Sequence, residues 1–397
     1  MKLGGSHLGY CTNIHPGESW GEIRANLARY VPEVKRRVCP GAPFGLGLRL
    51  SCVAARELAE PEAMAEFADF MRRESLYVFT INGFPYGPFH GTRVKEGVYL
   101  PDWRDAARLE YTNLLADLLA QWLPAGAGSG GSISTVPGAF RSAARSVADA
   151  ERIAELLIRH ASHLVQLERR TGRRIVLALE PEPCCLLETI AETVAFFRGQ
   201  LHSTAAAARL GELTGLDATA AGTALRDHLG VCLDLCHAAV EFEEPAQCLG
   251  ELEAAGIAVA KIQVTTGLRI PRVTVESAEA LRRLEDGVYL HQVVERSVDG
   301  LRRFEDLDAA LASSAWRDRD SEWRVHFHVP VFLEALDGFA STQAFVREAL
   351  ALHRGRNRSP HLEVETYTWS VLTEQERRVP VEAAIARELD WVVGELS

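Results

Sequence analysis

The stretch "GVCLDLCH", residues 230–237, sets the pattern from which the fold and the site can be predicted. It is apolar enough to form a buried strand, yet it carries Asp234 and, three residues later, His237. A lone carboxylate in a dry strand costs several kcal/mol unless a partner or a metal compensates its charge. Asp234 therefore predicts a functional site, provided that similar residues end other strands.

Comparable β-rich runs recur along the chain and alternate with helical patterns. The predicted strands cover residues 8–15, 44–51, 76–83, 131–138, 174–183, 230–237, 259–267, 323–332 and 361–369. In the helical stretch 146–172, apolar residues fall near one face and Gly172 supplies a stop. Such alternation favours a parallel sheet that closes into a (β/α)8 TIM barrel, with an open doubly wound sheet as the alternative.

Nine predicted strands are one more than the barrel needs. The surplus strand is either 323–332 or part of the long stretch 266–322. We expect residues 266–322 to form an insertion on a barrel loop, within a single domain that spans residues 1–397.

Composition excludes several classes of partner. Lys and Arg total 43 against 54 for Asp and Glu, and the net charge of −11 repels nucleic acid and anionic membrane surfaces. No apolar run is long enough to cross a bilayer, and the start "MKLGGSHLGYCTN" lacks the apolar core of a secretory signal. We therefore expect a cytoplasmic protein, without membrane insertion, whose partner is a small molecule. Homo-oligomer formation stays open.

Ligand-type side chains end the apolar runs of several predicted strands. In a parallel barrel, alternate side chains point inward, and those at the carboxyl end of each strand meet at one mouth. The inward residues are Glu180, Asp234, Lys261 with Gln263, His326 with His328, and Glu363 with Glu365. Converging acids repel each other unless a cation lies between them. Carboxylate, imidazole and amide ligands suit a divalent ion, namely Mn²⁺, Mg²⁺, Co²⁺ or Zn²⁺.

The same pattern assigns roles to these residues. The predicted metal ligands are Glu180, Asp234, His326, His328 and Glu365. Glu180 and Glu365 are also predicted to transfer protons, with Lys261 as a third catalytic residue. The alternative for Lys261 is ordinary hydrogen bonding inside the barrel, and for the histidine pair a structural role. Glu182 is expected on a loop, paired with a surface arginine.

Two loops after the first and third strands carry amide and aromatic groups that suit a polyol or sugar-like ligand. The predicted substrate-binding residues are Asn13, His15, Asn82, Tyr86, His90, His237 and Gln263. For the loop residues the alternative is packing of turns that are rich in proline and glycine. No glycine-rich phosphate-binding motif follows a strand, so no organic cofactor is expected.

With these residues in place, the chain resembles the xylose isomerase-like barrels, which include sugar-phosphate isomerases and epimerases and the endonuclease IV group. In that superfamily a metal is typically held by Glu, Asp, His and Glu at the ends of strands five to eight. Glu180, Asp234 and Glu365 match by type and order. Gln263 stands where His is usual, so either Gln263 is the ligand or one of His326 and His328 replaces it. "GVCLDLCH" is similar to the endonuclease IV strand in which Asp and a later His both bind zinc.

Three longer segments are similar to the bacterial family called metabolite traffic protein EboE. They are "LGYCTNIHPGESWGEI" (8–23), "NGFPYGPFHGTRVKEGVYLPDW" (82–103) and "HLEVETYTW" (361–369). That family is associated with gene clusters that move or process precursors of secondary metabolites. The resemblance implies a setting rather than a reaction.

The predicted site residues are compatible with three functions. The first is a metal-dependent isomerase or epimerase that acts on a small hydroxylated carbonyl compound. The second is a phosphoesterase of the endonuclease IV type, and the third is a non-catalytic metabolite-binding protein. One bound ion favours the isomerase, two or three favour the hydrolase, and none favours the carrier.

Overall fold

The computed structural model describes residues 1–88, 95–123, 130–284, 289–313, 315–317, 320–336, 338–367 and 378–397. His90, a predicted substrate-binding residue, lies outside these ranges. The strands are β1 Lys2–Leu3, β2 Ser6–Tyr10, β3 Phe44–Arg49, β4 Leu76–Asn82, β5 Gly131–Thr135, β6 Ile175–Leu179, β7 Leu229–Asp234, β8 Ala258–Val264, β9 Thr266–Ile270, β10 Val293–Ser297, β11 Gly300–Phe304, β12 Glu322–Val329, β13 Ala335–Leu336, β14 Phe339–Ser341 and β15 His361–Val364.

Helices fill most of the connections between the barrel strands. They are α1 Trp20–Val38, α2 Cys52–Leu58, α3 Pro61–Arg73, α4 Ala106–Trp122, α5 Val147–Thr171, α6 Ile190–Phe196, α7 Thr204–Thr214, α8 Ala218–His228, α9 Leu235–Val240, α10 Pro245–Ala254, α11 Val275–Arg282, α12 Leu307–Ala312, α13 Gln343–Arg356 and α14 Val381–Leu396. Short 3-10 turns cover Thr12–Ile14, Lys95–Tyr99 and Ala315–Arg317, and a π turn covers Phe197–Leu201. The helix predicted within 146–172 is α5, which begins at a Ser146–Asp149 capping box and ends at Gly172 with φ 68°.

Parallel strands form a nearly closed barrel, which confirms the predicted (β/α)8 fold. Their order is β2, β15, β8, β7, β6, β5, β4, β3, and the short β1 pairs antiparallel with β2. A bridge between Cys11 and Gly47 joins the first of these strands to the last. The residues of β2, β3, β5 and β7 are all buried, as expected for strands covered on both faces.

A second, antiparallel sheet lies in sequence between β8 and α13. Its order is β11, β10, β12, β9, β14, β13. Residues 266–322, where the sequence predicts an insertion, supply β9 to β11, and β12 to β14 extend the sheet to Ser341. The surplus strand of the sequence pattern is therefore β12, which pairs with β9 and β10.

Alternation along β12 separates its two faces. Trp323, Val325 and Phe327 belong to the apolar cluster of the second sheet. Because successive side chains of a strand point to opposite faces, His326 and His328 point the other way, toward the barrel mouth. Within the described residues, no helix is long and apolar enough to span a membrane.

Candidate metal centre

Three carboxylates meet where β6, β7 and β15 end, and we call Glu180, Asp234 and Glu365 the acid cluster. Each side chain is buried, and one carboxylate oxygen from each lies within 4.8 Å of the other two. The strand ends thus bring together three of the five predicted metal ligands.

Burial and mutual repulsion act on these acids in the same direction. Burial raises the pKa of Glu365 to about 8, and the nearby carboxylate of Asp234 adds to the effect. The pKa of Glu180 lies well above its usual range because of burial and of the charges of Glu365 and Asp234. A bound cation or a proton relieves this repulsion.

Asp234 uses its two oxygens differently. Oδ1 caps the N-terminus of α9, accepting hydrogen bonds from the backbone N–H groups of Cys236 at 2.7 Å and His237 at 3.1 Å. The hydroxyl of Thr265 also donates to Oδ1, at 2.6 Å. Among the described residues, none makes a hydrogen bond to Oδ2, although Asp234 is only 1% exposed. One oxygen therefore serves the fold and leaves the other for a ligand.

Amide side chains hold Glu365 in place. Its Oε1 accepts from Asn13 Nδ2 at 2.6 Å and from Asn82 Nδ2 at 2.8 Å, and its Oε2 accepts from Gln263 Nε2. The other end of the Gln263 amide accepts from the thiol of Cys232 at 2.7 Å. Asn13 and Asn82 line the cavity, whereas Gln263 is not among the described residues that line it.

Lys261 lies one layer deeper than the acid cluster. Its side chain is fully buried, forms an ion pair with Glu363 and donates to Ser134 Oγ at 3.2 Å. A side chain at Gly47 would collide with Glu363, since a Cβ there would lie 1.4 Å from Oε1. Lys261 is not among the described residues that line the cavity, so this arrangement supports the interior hydrogen-bonding alternative rather than contact with a substrate.

Three imidazoles converge beside the acid cluster, and we call His237, His326 and His328 the histidine cluster. His237 lies on α9, and the other two lie on β12. Nε2 of His326 is 3.1 Å from Nε2 of His237 and 3.1 Å from Nε2 of His328. Asp234 Oδ2 lies 4.0 Å from Nε2 of His237 and 3.9 Å from Nε2 of His328.

Each Nδ1 atom of the histidine cluster faces an oxygen. Nδ1 of His237 lies 3.0 Å from the carbonyl oxygen of Pro181, and Nδ1 of His328 lies 3.0 Å from that of Glu365. Burial lowers the pKa of all three rings, which keeps them neutral. Backbone oxygens therefore orient two of the rings.

The third ring is oriented by a side-chain amide. Nδ1 of His326 lies 2.7 Å from Oε1 of Gln292. Nε2 of the same amide donates to the carbonyl oxygen of Pro183 at 3.3 Å and to the hydroxyl of Tyr99 at 2.9 Å. Because a carbonyl oxygen only accepts, the amide nitrogen must face Pro183, which leaves Oε1 for His326.

Two predicted substrate-binding residues lie elsewhere. The ring of His15 stacks on Tyr30 with centroids 4.4 Å apart, and its Nε2 lies 3.1 Å from the hydroxyl of Tyr10. Tyr86 packs edge-on against Tyr111. Neither His15 nor Tyr86 is among the described residues that line the cavity. Their positions agree with the alternative of loop packing.

Several cavity residues escaped the sequence analysis. Glu182, expected on a surface loop, is buried, and its Oε1 accepts from Tyr99 at 2.7 Å. Burial raises the pKa of Glu182 to about 8. Lys95 also lines the cavity, and its ammonium group pairs with Asp306 of the second sheet region at 2.6 Å. The second glutamate of "LEPEP" was the available signal for Glu182, whereas no local pattern indicates Lys95.

Aromatic rings complete the described wall of the cavity, which has a volume of about 60 Å³. They belong to Phe84, Tyr99, Tyr289 and Tyr367. A cavity lined by carboxylate, imidazole and aromatic side chains suits a small ligand that has both polar and apolar faces.

Comparisons with known proteins give the fold. No protein-family model matches the sequence, and no curated protein is similar to it. A xylose isomerase-like TIM barrel protein from Mycobacterium smegmatis, solved in complex with magnesium, is similar at 11% identity and a TM-score of 0.52, covering 100% of this chain and 98% of that chain. The probable 3-DHS dehydratase AsbF from Bacillus anthracis, involved in petrobactin synthesis, shares 12% identity over 97% of each chain at a TM-score of 0.45. IolI protein with a bound zinc atom shares 13% identity over 98% of each chain at 0.43. The first of these similarities supports a xylose isomerase-like barrel.

Proposed function

We propose that this protein is a metal-dependent enzyme that isomerises or epimerises a small hydroxylated, sugar-like carbonyl compound. The observation that carries the proposal is the acid cluster, three buried carboxylates whose oxygens converge at the barrel mouth. Oxygen ligands of this kind suit Mn²⁺, Mg²⁺, Co²⁺ or Zn²⁺. The carboxylate repulsion supports a cation in this position.

We assign separate roles in proton transfer and cation binding to Glu180 and Glu365. A bound cation would polarise a substrate oxygen and make the neighbouring C–H more acidic. We assign the proton transfer to Glu180, because its Oε2 makes no hydrogen bond to another described residue and its pKa is raised. We assign Glu365 to cation binding, because Asn13 and Asn82 fix its orientation.

The cavity wall supports an uncharged polyol-like substrate. Glu180, Glu182 and Glu365 all line the cavity and would repel an anionic group that approached them directly. The hydroxyl of Tyr99 and the amides of Asn13 and Asn82 offer hydrogen bonds, and aromatic rings cover apolar faces of a sugar ring. The similarity of residues 8–23 and 82–103 to the EboE family supports a role with precursors of secondary metabolites.

A second candidate is a phosphoesterase of the endonuclease IV type. The observation that favours it is the histidine cluster beside Asp234, since nitrogen ligands in addition to the acids suit more than one metal ion. The net charge of −11 makes DNA an unsuitable substrate, so a small phosphate ester is the alternative that we retain.

Hydrogen–deuterium exchange tests the proposal. The protein is refilled separately with each of the four metals and incubated in D₂O with a panel of aldoses, ketoses and keto-polyols, and NMR follows exchange next to the carbonyl. Glu180→Gln removes the proton carrier at unchanged size, so exchange should fall by about 10²–10⁴-fold.

Glu33→Gln provides a matched control, because Glu33 is a solvent-exposed carboxylate on α1. It should retain the wild-type exchange rate. Hydrolysis of bis(4-nitrophenyl) phosphate without exchange in any sugar would contradict the isomerase proposal and favour the second candidate.

A further inference from the structure

We propose that Glu182, held in place by Tyr99, determines substrate specificity by pairing with a hydroxyl group of the substrate that does not react. We call these two residues the hydroxyl subsite. The inference rests on the proposed function, which supplies a hydroxylated ligand, and it adds the side chain that selects one of the ligand's hydroxyl groups.

A directed chain of hydrogen bonds orients the carboxyl group of Glu182. Nε2 of Gln292 donates to the carbonyl oxygen of Pro183 at 3.3 Å and to the hydroxyl oxygen of Tyr99 at 2.9 Å. The Tyr99 hydroxyl in turn donates to Oε1 of Glu182 at 2.7 Å. Because Oε1 is used in this way, the other oxygen, Oε2, is the one that the protein leaves for a ligand.

Packing keeps the Tyr99 phenol rigid. The side chain is buried, and its ring stacks on Phe140 with centroids 4.9 Å apart. Tyr99 ends the short turn Lys95–Tyr99, and the ammonium group at the start of this turn pairs with Asp306 at 2.6 Å. Asp306 and Gln292 both follow β9 in the inserted region, so this region holds the turn at both ends.

Oε2 of Glu182 is buried and receives no hydrogen bond from a described residue, although Glu182 lines the cavity. A buried carboxyl oxygen without a partner costs free energy, which a ligand that supplies the partner recovers. A hydroxyl group suits this position because it both donates and accepts. It can therefore pair with Oε2 whether the carboxyl group is ionised or protonated.

The two glutamates that follow β6 contact different parts of the cavity. Glu180 lies with the acid cluster, where one oxygen of each carboxylate is within 4.8 Å of the others. Glu182 instead has an oxygen within 4.8 Å of ring nitrogens of His237 and His326. A substrate whose reacting carbon lies at Glu180 would therefore place another of its hydroxyl groups at Glu182.

Deoxy sugars test the inference on the metal-loaded, full-length protein. NMR titration measures the dissociation constants of D-glucose, D-galactose and D-mannose and of their 3-, 4- and 6-deoxy forms. Loss of one particular hydroxyl should weaken binding about 10–100-fold, because it leaves the buried carboxyl group unpaired. Loss of either other hydroxyl should have a smaller effect. Equal affinities across each series, or no binding of any of these sugars, would overturn the hydroxyl subsite.

Glu182→Met assigns the discrimination to this side chain. With an apolar group on both sides of the contact, the sensitive deoxy sugar should bind as tightly as its parent. Tyr99→Phe keeps the carboxyl group but releases it, so the discrimination should fall about tenfold. Glu33→Met, at an exposed position on α1, should discriminate as the wild type does.

Two results with the variants would overturn the inference. One is full discrimination in folded Glu182→Met. The other is loss of bound metal from that variant while it stays folded, since Glu182 would then be a metal ligand. If Glu182→Met does not fold, the deoxy series with the wild type and with Tyr99→Phe still decides, because unchanged discrimination in Tyr99→Phe would also contradict the subsite.

The outcome is separable from that of the proposed function, because binding and deuterium exchange are measured independently. Discrimination that depends on Glu182, without exchange in any sugar, would remove the isomerase proposal and leave the hydroxyl subsite intact. Exchange that depends on Glu180, with equal binding of parent and deoxy sugars, would do the reverse.

Discussion

The acid cluster and the histidine cluster occupy one cavity but are positioned by different parts of the molecule. Parallel register fixes the barrel residues, because β7 pairs Asp234 with Gln263, and β15 pairs Glu363 with the same Gln263. His326 and His328 lie on β12 of the antiparallel inserted sheet. Local strand patterns therefore determine the first cluster, whereas docking of a separate sheet determines most of the second.

The supports beneath the two clusters differ as well. The acid cluster lies above a buried ion pair between Lys261 and Glu363. The histidine cluster depends on single acceptors behind each ring, including the amide of Gln292. Disrupting the first support should affect folding, and disrupting the second should affect metal affinity.

The largest effect is expected for Lys261→Met. It leaves Glu363 charged and fully buried without its partner, so the free energy of unfolding should fall by about 3–5 kcal/mol. Urea unfolding followed by circular dichroism measures it. Adding Glu363→Met should restore most of the loss, since an apolar pair of similar volume replaces the ion pair. A single variant as stable as the wild type would show that this pair does not support the barrel floor.

The buried carboxyl groups and the histidines of the cavity should also give metal-free protein opposite dependences on pH. Glu182 and Glu365 have folded-state pKa values of about 8, raised by burial, against an ordinary 4.5. The folded state keeps these protons at pH values where the unfolded chain has released them, so stability falls as pH rises toward 8. Between pH 6.5 and 8 the loss should be about 2 kcal/mol for each carboxyl group.

The histidines act in the other direction. Burial lowers the pKa of His237, His326 and His328, so the unfolded chain binds protons below pH 6.5 that the folded state does not. Stability should therefore rise with pH up to about 6.5 and then fall. Urea unfolding at a series of pH values tests this maximum. Glu182→Gln should flatten the descending side and steepen the rise between pH 4.5 and 6.5. A descending side that is unchanged in this variant would contradict the assignment.

This division also explains what the sequence could predict. Glu180, Asp234 and Glu365 end apolar runs, and parallel strands bring such ends together, so their clustering was predictable. Alternation along β12 indicated that the two histidines share a face, but the strand's place outside the barrel depends on long-range pairing with β9.

Two properties were not predictable from the sequence: how deep in the barrel a side chain lies, and which way the side chain of a loop residue points. Lys261 shares a strand face with Gln263 in the pattern, and only the packed structure shows that it pairs with Glu363 below the cavity. The orientation of His15 and Tyr86 depends on the partners against which each loop packs. Tertiary contacts decide both properties, and local spacing does not encode them.

Gln292→Leu tests the histidine cluster without changing a residue of the acid cluster. It removes the acceptor that orients His326, a predicted metal ligand, so Zn²⁺ affinity should fall by about 10–100-fold. Competition with a chromogenic chelator measures this change. Gln247→Leu, at an exposed position on α10, is the control. Unchanged Zn²⁺ affinity in the folded Gln292→Leu variant would show that this amide does not position a metal ligand.

The smallest expected effect is a difference in stability between two substitutions of Asp234, which distinguishes the roles of its two carboxylate oxygens. Asp234→Asn keeps an acceptor that can cap α9 but removes the charge, so bound metal should be lost while the helix cap remains. Asp234→Ala removes the cap too, and the free energy of unfolding of the metal-free protein should be about 1 kcal/mol lower than that of the Asn variant. Metal analysis and urea unfolding of the two variants measure these terms separately. Retention of metal by Asp234→Asn would mean that this carboxylate is not a metal ligand, and equal stabilities would mean that Oδ1 contributes little as a cap.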